Sequence, residues 1–309
     1  VRSLAAITAY KTASWLALRV PVVIVDAVVW MGAWLVPYVS PARALVLARN
    51  LERAHGTSLG RVASPRVASR RAVAQAMGAY GRYWAESFRL PGTAPQVLDA
   101  GLDITGYGHI ARALASGKGP IMVLPHLGGW EWAAFWLTTV AGLRITVVVE
   151  DVEPPEVKDF FFDFRRRLGM DVVVLGPDAG RTVTAAITRG EMVVLLSDRD
   201  IEGNGVAVEF FGETTTIPAG PAALALRTGA ALLPAAVYFD GDRHHAVIRP
   251  PLDTQRQGAY RHDVARVSQM VAHELEELIA AAPGQWHLLQ PNWPSDHEAL
   301  RAAGLAGDA

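Results

Sequence analysis

Beyond residue 96 the chain repeats one pattern: a short apolar run rich in β-branched residues, then a stretch long enough for a helix, then another run. Candidate strands fall at 102–105, 121–124, 144–149, 171–175, 192–197, 206–211, 232–239 and 245–249. Parallel strands need a crossover of a dozen or more residues, usually a helix, and strands buried on both faces read as continuous apolar runs. The pattern predicts an α/β fold: a mainly parallel, twisted sheet covered by helices on both faces. An amphipathic stretch over 260–281 predicts a long closing helix. Residues 1 to about 90 have helical periodicity, and Pro91-Gly-Thr-Ala-Pro95 marks a boundary. The expected organisation is a helical N-terminal segment over 1–95, packed on the core or at a membrane interface, and an α/β core over 96–309.

Composition removes several classes of function. A formal net charge of -1 over 309 residues leaves no global basic field, so nucleic acid is not an expected partner. With no cysteine there are no disulfides, no thiolate metal sites and no Cys nucleophile. Catalysis must use oxygen or nitrogen groups. The apolar span from Val20 to Pro37 is nearly long enough to cross a bilayer, yet Asp26 sits near its middle. A central Asp costs about 2.5–3.5 kcal/mol on insertion scales. The span is therefore expected to lie in the interface, with Trp15, Trp30 and Trp34 as anchors, or to pack on the protein.

The chemistry concentrates in Pro120-Ile-Met-Val-Leu-Pro-His126-Leu-Gly-Gly-Trp-Glu131-Trp. It places an imidazole after a short strand and a carboxylate five residues later, in the first turn of a helix. An imidazole takes a proton from a hydroxyl near neutral pH, while a carboxylate on its other nitrogen fixes the tautomer. His126 is the candidate base and Glu131 its expected partner. Chance alone supplies about one His-x4-acid spacing in a chain with nine His and thirty acidic residues, so the strand-to-helix setting carries the argument. Trp130, Trp132, Phe135, Trp136 and Leu137 make the following helix apolar nearly all round, which means core or a wall facing a greasy ligand.

In open α/β sheets, ligands bind at the carboxyl ends of strands. Glu150 ends one strand and Asp198-Arg199-Asp200 follow another, so both are expected to share the cleft with His126. Arg165 begins a run of three arginines before Gly169; such a run is either a solvated helix end or a source of one bidentate phosphate ligand. His287, in Trp286-His-Leu-Leu-Gln-Pro, reads as a core histidine or a pocket residue. Competing motifs fail: Gly106-Tyr-Gly108-His-Ile-Ala111 lacks the ribose-binding acid at the end of a second strand, and no G-x-S-x-G elbow or phosphate loop occurs.

These residues together resemble a family. Val-Leu-Pro-His126-Leu-Gly-Gly-Trp-Glu131, Glu150, Phe-Arg165-x-x-Leu-Gly, Asp198-Arg199-Asp200, the later Phe-Phe-Gly-Glu, Pro218-Ala-Gly-Pro, Thr-Gly-Ala-Ala-Leu-Leu-Pro234 and Trp286-His287-Leu-Leu-Gln-Pro follow the order seen in bacterial lipid acyltransferases related to the lipid A lauroyl and myristoyl enzymes. The likeness is strongest to the actinobacterial branch acting on phosphatidylinositol mannosides, and spans about Tyr80 to Trp293. It implies a peripheral enzyme on the cytoplasmic face of the inner membrane, moving a fatty acyl chain from acyl-CoA to a mannose hydroxyl. It also implies His126 as base, Glu131 as its partner, and Glu150, Arg165, Asp198, Arg199 and His287 lining the donor or acceptor pocket. No cofactor or metal is implied beyond acyl-CoA as donor substrate. Other lipid acceptors, such as a lysophospholipid or lipid A precursor, and a non-catalytic lipid-binding role are the alternatives. The chain departs from the family pattern at Glu131, where Asp is common, and at Asp198, where Glu is expected.

Overall fold

The computed structural model describes residues 12, 16, 18–56, 70–150, 155–201 and 203–306. Trp15 and the helical reading of the first eleven residues lie outside them. Three helices come first: α1 (Val22–Val39), α2 (Pro41–Ala54) and α3 (Arg70–Arg89). After the proline boundary come α4 (Pro95–Ala100), β1 (Leu102–Thr105), α5 (Tyr107–Ala115), β2 (Ile121–Leu124), α6 (Trp130–Thr139), β3 (Ile145–Val149), α7 (Pro155–Arg167), β4 (Met170–Val174), α8 (Ala179–Thr188) and β5 (Met192–Leu196). The hairpin β6 (Val206–Phe210) and β7 (Glu213–Ile217) follows, then α9 (Gly220–Thr228), β8 (Leu232–Asp240), β9 (Arg243–Ile248), α10 (Tyr260–Ala280) and α11 (Pro294–Ala302).

The fold is the expected α/β class. Seven strands form one sheet in the order β1-β9-β8-β2-β5-β3-β4, parallel except for the β8–β9 pair. The central strand β2 is buried at every position, and β5 at four of five, which is why both read as unbroken apolar runs. Each face carries its own core. One gathers Val183, Leu195, Leu224, Val267 and Leu275; the other gathers Trp130, Phe135, Val147, Val194 and Phe164.

One expected strand behaves differently. Val206–Phe210 does not join the main sheet but pairs antiparallel with Glu213–Ile217, a strand the polar Glu-Thr-Thr-Thr-Ile sequence concealed. The turn between them has positive φ at both Phe211 (54°) and Gly212 (72°). That is the backbone twist tight hairpins favour.

At the N-terminus α1 packs along α3. A Cβ added to Gly81 would lie 2.3 Å from Val29 Cγ1, so this glycine sets how closely the helices approach. The outer side of α1 stays open, with Val23, Val28, Trp30, Met31, Leu35 and Tyr38 exposed. Among the described residues no single helix is long and apolar enough to cross a membrane. The segments Val23–Val39 and Pro41–Ala54 satisfy length and composition only jointly, across a 104° bend.

Candidate active site

The sheet order explains which residues meet. Strands β2 and β5 are neighbours, with Leu124 paired to Leu196. Two residues beyond that pair, on either strand, stand His126 and Asp198. Their side chains close a hydrogen bond of 2.5 Å between His126 Nδ1 and Asp198 Oδ1. Asp198 Oδ2 accepts the His126 main-chain N–H at 3.0 Å and the Trp286 indole N–H at 2.8 Å, while Asn292 donates to the Asp198 carbonyl at 3.2 Å. The carboxylate is fully buried. Burial alone would raise its pKa; the His126 charge and the hydrogen bonds from His126 and Trp286 outweigh that and lower it to about 2.

The expectation that Glu131 orients His126 is therefore corrected: the carboxylate on Nδ1 is Asp198. Glu131 is buried, and its Oε1 accepts from the Tyr83 hydroxyl at 2.8 Å and from Arg165 at 3.2 Å. Burial raises its pKa, against the lowering pull of the Arg165 charge and the Tyr83 hydrogen bond. Glu131 sits in the first turn of α6, which leaves the loop at Gly129 and turns the carboxylate toward α3 and α7.

Two glycines make that loop possible. Gly128 has φ +57°, and a Cβ there would lie 1.9 Å from the Val237 carbonyl oxygen; a Cβ on Gly129 would lie 2.7 Å from the His244 ring. At Gly128 no other residue fits so close to a neighbouring backbone. The loop is also stitched to the segment before α11: Gly128 N–H donates to the Gln285 carbonyl at 3.0 Å, and His287 N–H to the His126 carbonyl at 2.7 Å.

A cavity of about 500 Å³ opens at these strand ends, and His126, Glu150, Arg165, Arg199 and His287 all line it. Because Nδ1 is held by Asp198, Nε2 is the nitrogen His126 has left for a substrate. Asp198 and Glu131 stand behind the wall. Glu150 and Arg199, expected as separate substrate ligands, form an ion pair with each other across the ends of β3 and β5. His287 is half-buried against Tyr80 and Tyr83, with ring centroids at 5.4 and 5.2 Å. Burial first, then the nearby His126 charge, depress its pKa to about 3 despite the opposing Asp198 carboxylate. It stays neutral at physiological pH.

The rest of the lining is largely apolar. The β3–β5 ladder ends at the pair Val147–Val194. The cavity runs past that point along Val148, Val149, Leu195 and Leu196, and reaches Val183 and Leu224 on one face of the sheet and Trp130 and Phe161 on the other. The aromatic helix supplies less of this wall than its sequence suggests. Only Trp130 of α6 lines the cavity, while the indole N–H groups of Trp132 and Trp136 bond to Leu98 and Asp99 outside it. Tyr80, Tyr83 and Trp84 of α3 do that work instead. Their one hint in the sequence was the helical periodicity of the segment.

An imidazole backed by a buried carboxylate at the rim of a largely apolar cavity is an arrangement able to take a proton from a hydroxyl beside a hydrophobic chain. The sequence model of the bacterial lipid A biosynthesis acyltransferases matches residues 3–295, and the chain belongs to that family. It is also similar to two proteins named phosphatidylinositol mannoside acyltransferase. Identity to that of Mycobacterium tuberculosis H37Rv is 37% over 264 residues, 84% of this chain and 80% of the relative. Identity to that of Mycolicibacterium smegmatis is 38% over 232 residues, 74% of each.

Proposed function

We propose that this acyltransferase moves a fatty acyl group from acyl-CoA to a mannose hydroxyl of a phosphatidylinositol mannoside, with His126 as general base. The observation that carries this reading is His126, gripped at Nδ1 by buried Asp198 and bordering a largely apolar cavity. Nε2 takes the acceptor hydroxyl proton as the oxygen bonds to the thioester carbonyl carbon. The intermediate collapses with cleavage of the C–S bond, and the proton passes from Nε2 to the departing thiolate. Ester and free CoA thiol result, with no covalent acyl-enzyme. The names of the two mycobacterial relatives support the mannosylated acceptor. Neutral His287 and the Glu150–Arg199 pair supply polar groups around a sugar, and Arg165 a cation for phosphate.

The test is acceptor dependence. Thiol release from acyl-CoA is expected to require lipid acceptor, and mass spectrometry of a reaction with mixed lipid extract is expected to show acylated phosphatidylinositol mannoside. Thiol release indifferent to acceptor would make the chain a thioesterase; an acylated lysophospholipid would replace the acceptor.

Peripheral attachment to the cytoplasmic face of the inner membrane completes the proposal. The open apolar side of α1 carries Trp30 and Trp34, with ring centroids 5.7 Å apart. Such rings anchor helices at headgroup depth. Replacing both by Ser is expected to reduce partitioning onto anionic vesicles roughly tenfold in a flotation assay. Unchanged flotation would move the membrane contact elsewhere.

A further inference from the structure

Helix α3 puts the Tyr83 ring into the cavity wall and its hydroxyl behind that wall, where it donates to Glu131 Oε1 at 2.8 Å. The same oxygen accepts from Arg165 at 3.2 Å. Among the described residues Glu131 is the one carboxylate paired with Arg165, whose other close neighbours are ring faces, Trp130 at 5.5 Å and Phe161 at 6.0 Å. The guanidinium is thus aimed by one buried oxygen, and that oxygen is fixed from the other side by a phenol.

We propose that Tyr83 is a positioning residue: its hydroxyl holds Glu131 where that carboxylate keeps the Arg165 guanidinium presented to the cavity. This rests on the reading of the cavity as the site of acyl transfer, and adds a residue that never forms part of the reacting set. A buried carboxylate needs its hydrogen bonds to stay ionised. The charged or titratable groups facing Glu131 are Tyr83 on α3, Arg165 on α7 and His126 on the loop after β2. Without the phenol, Glu131 takes up a proton at higher pH, and a neutral carboxyl no longer holds a guanidinium. The helix itself has a separate anchor. Glu86, one turn on, bonds to buried His244 at 2.8 Å, and Arg82 donates to the Gly241 carbonyl at 2.7 Å, so loss of one hydroxyl leaves α3 in place.

The experiment is a double-mutant cycle of Tyr83→Phe and Glu131→Gln, read with hexadecanoyl-CoA and a phosphatidylinositol mannoside. Tyr83→Phe is expected to raise the acceptor KM about tenfold, with kcat changed less and with the rise growing as pH falls, because protonation of Glu131 is what disarms Arg165. In the Glu131→Gln background the same change is expected to cost nothing further. Tyr83→3-fluorotyrosine, a stronger donor, should move the acid limb the opposite way. Additive effects, or a loss equal at every pH, would overturn the assignment. Failure of the underlying reading shows separately, as full activity without His126.

Discussion

His126→Asn is expected to lower kcat/KM by about 10³-fold while the protein keeps its fold, since general-base catalysis contributes typically 10²–10⁴-fold. Asparagine is the informative replacement because its side-chain amide N–H falls close to where the imidazole Nδ1–H stands. Asp198, fully buried, keeps a donor at Oδ1, so the variant removes Nε2 without stranding a carboxylate. Alanine removes both at once, and a buried charge that loses its partner is strongly destabilising. Thermal unfolding separates the two effects: the Asn variant should unfold near the parent and the Ala variant well below it. Turnover by His126→Asn within a few-fold of the parent would end the proposal that this imidazole deprotonates the acceptor.

What the sequence disclosed and what it hid follow one physical distinction. Runs such as Ile121–Leu124 and Met192–Leu196 are legible because burial on both faces writes itself into every residue of the strand. The order in which those strands lie in the sheet is not written locally. Glu131 stands five residues from His126 and looks like its partner, whereas Asp198, 72 positions away, reaches it because β5 hydrogen-bonds to β2 in a register that carries both residues two steps past the last pair. The resemblance put Asp198 in the pocket lining, whereas it stands behind the wall and serves His126 Nδ1. Tyr83 left no signature, since one tyrosine on an amphipathic helix looks like any other core aromatic. The strand Glu213–Ile217 was hidden for the opposite reason: its three threonines suit a strand by shape but lack the hydrophobicity that marks one.

Asp198→Asn should be at least as damaging as loss of the base, by way of the tautomer. The native carboxylate accepts at Oδ1 from His126 Nδ1–H, and at Oδ2 from the His126 main-chain N–H and the Trp286 indole. In an asparagine, one of these positions becomes an NH₂ group. If the amide oxygen keeps the two Oδ2 donors, the NH₂ faces Nδ1 and the imidazole must carry its proton on Nε2, where it can no longer accept one from a substrate. A fall in kcat of about 10³- to 10⁴-fold is expected, as seen when the orienting carboxylate of a catalytic histidine is amidated. The ¹⁵N shifts of His126 report the tautomer directly, and an unchanged Nδ1–H with activity within tenfold of the parent would sink the argument. Stability gives an independent reading. The Asp198 pKa is lowered from an ordinary 3.8 to about 2 in the folded chain, so the carboxylate stabilises the fold above about pH 4 and loses that contribution as pH falls through 2. At 1.36 kcal/mol per pKa unit, the contribution is on the order of 2 kcal/mol. The stability gap between parent and Asp198→Asn in urea should therefore narrow by about that amount between pH 4 and pH 2. A constant gap would mean that His126 and Trp286 do not hold this carboxylate in its ionised form.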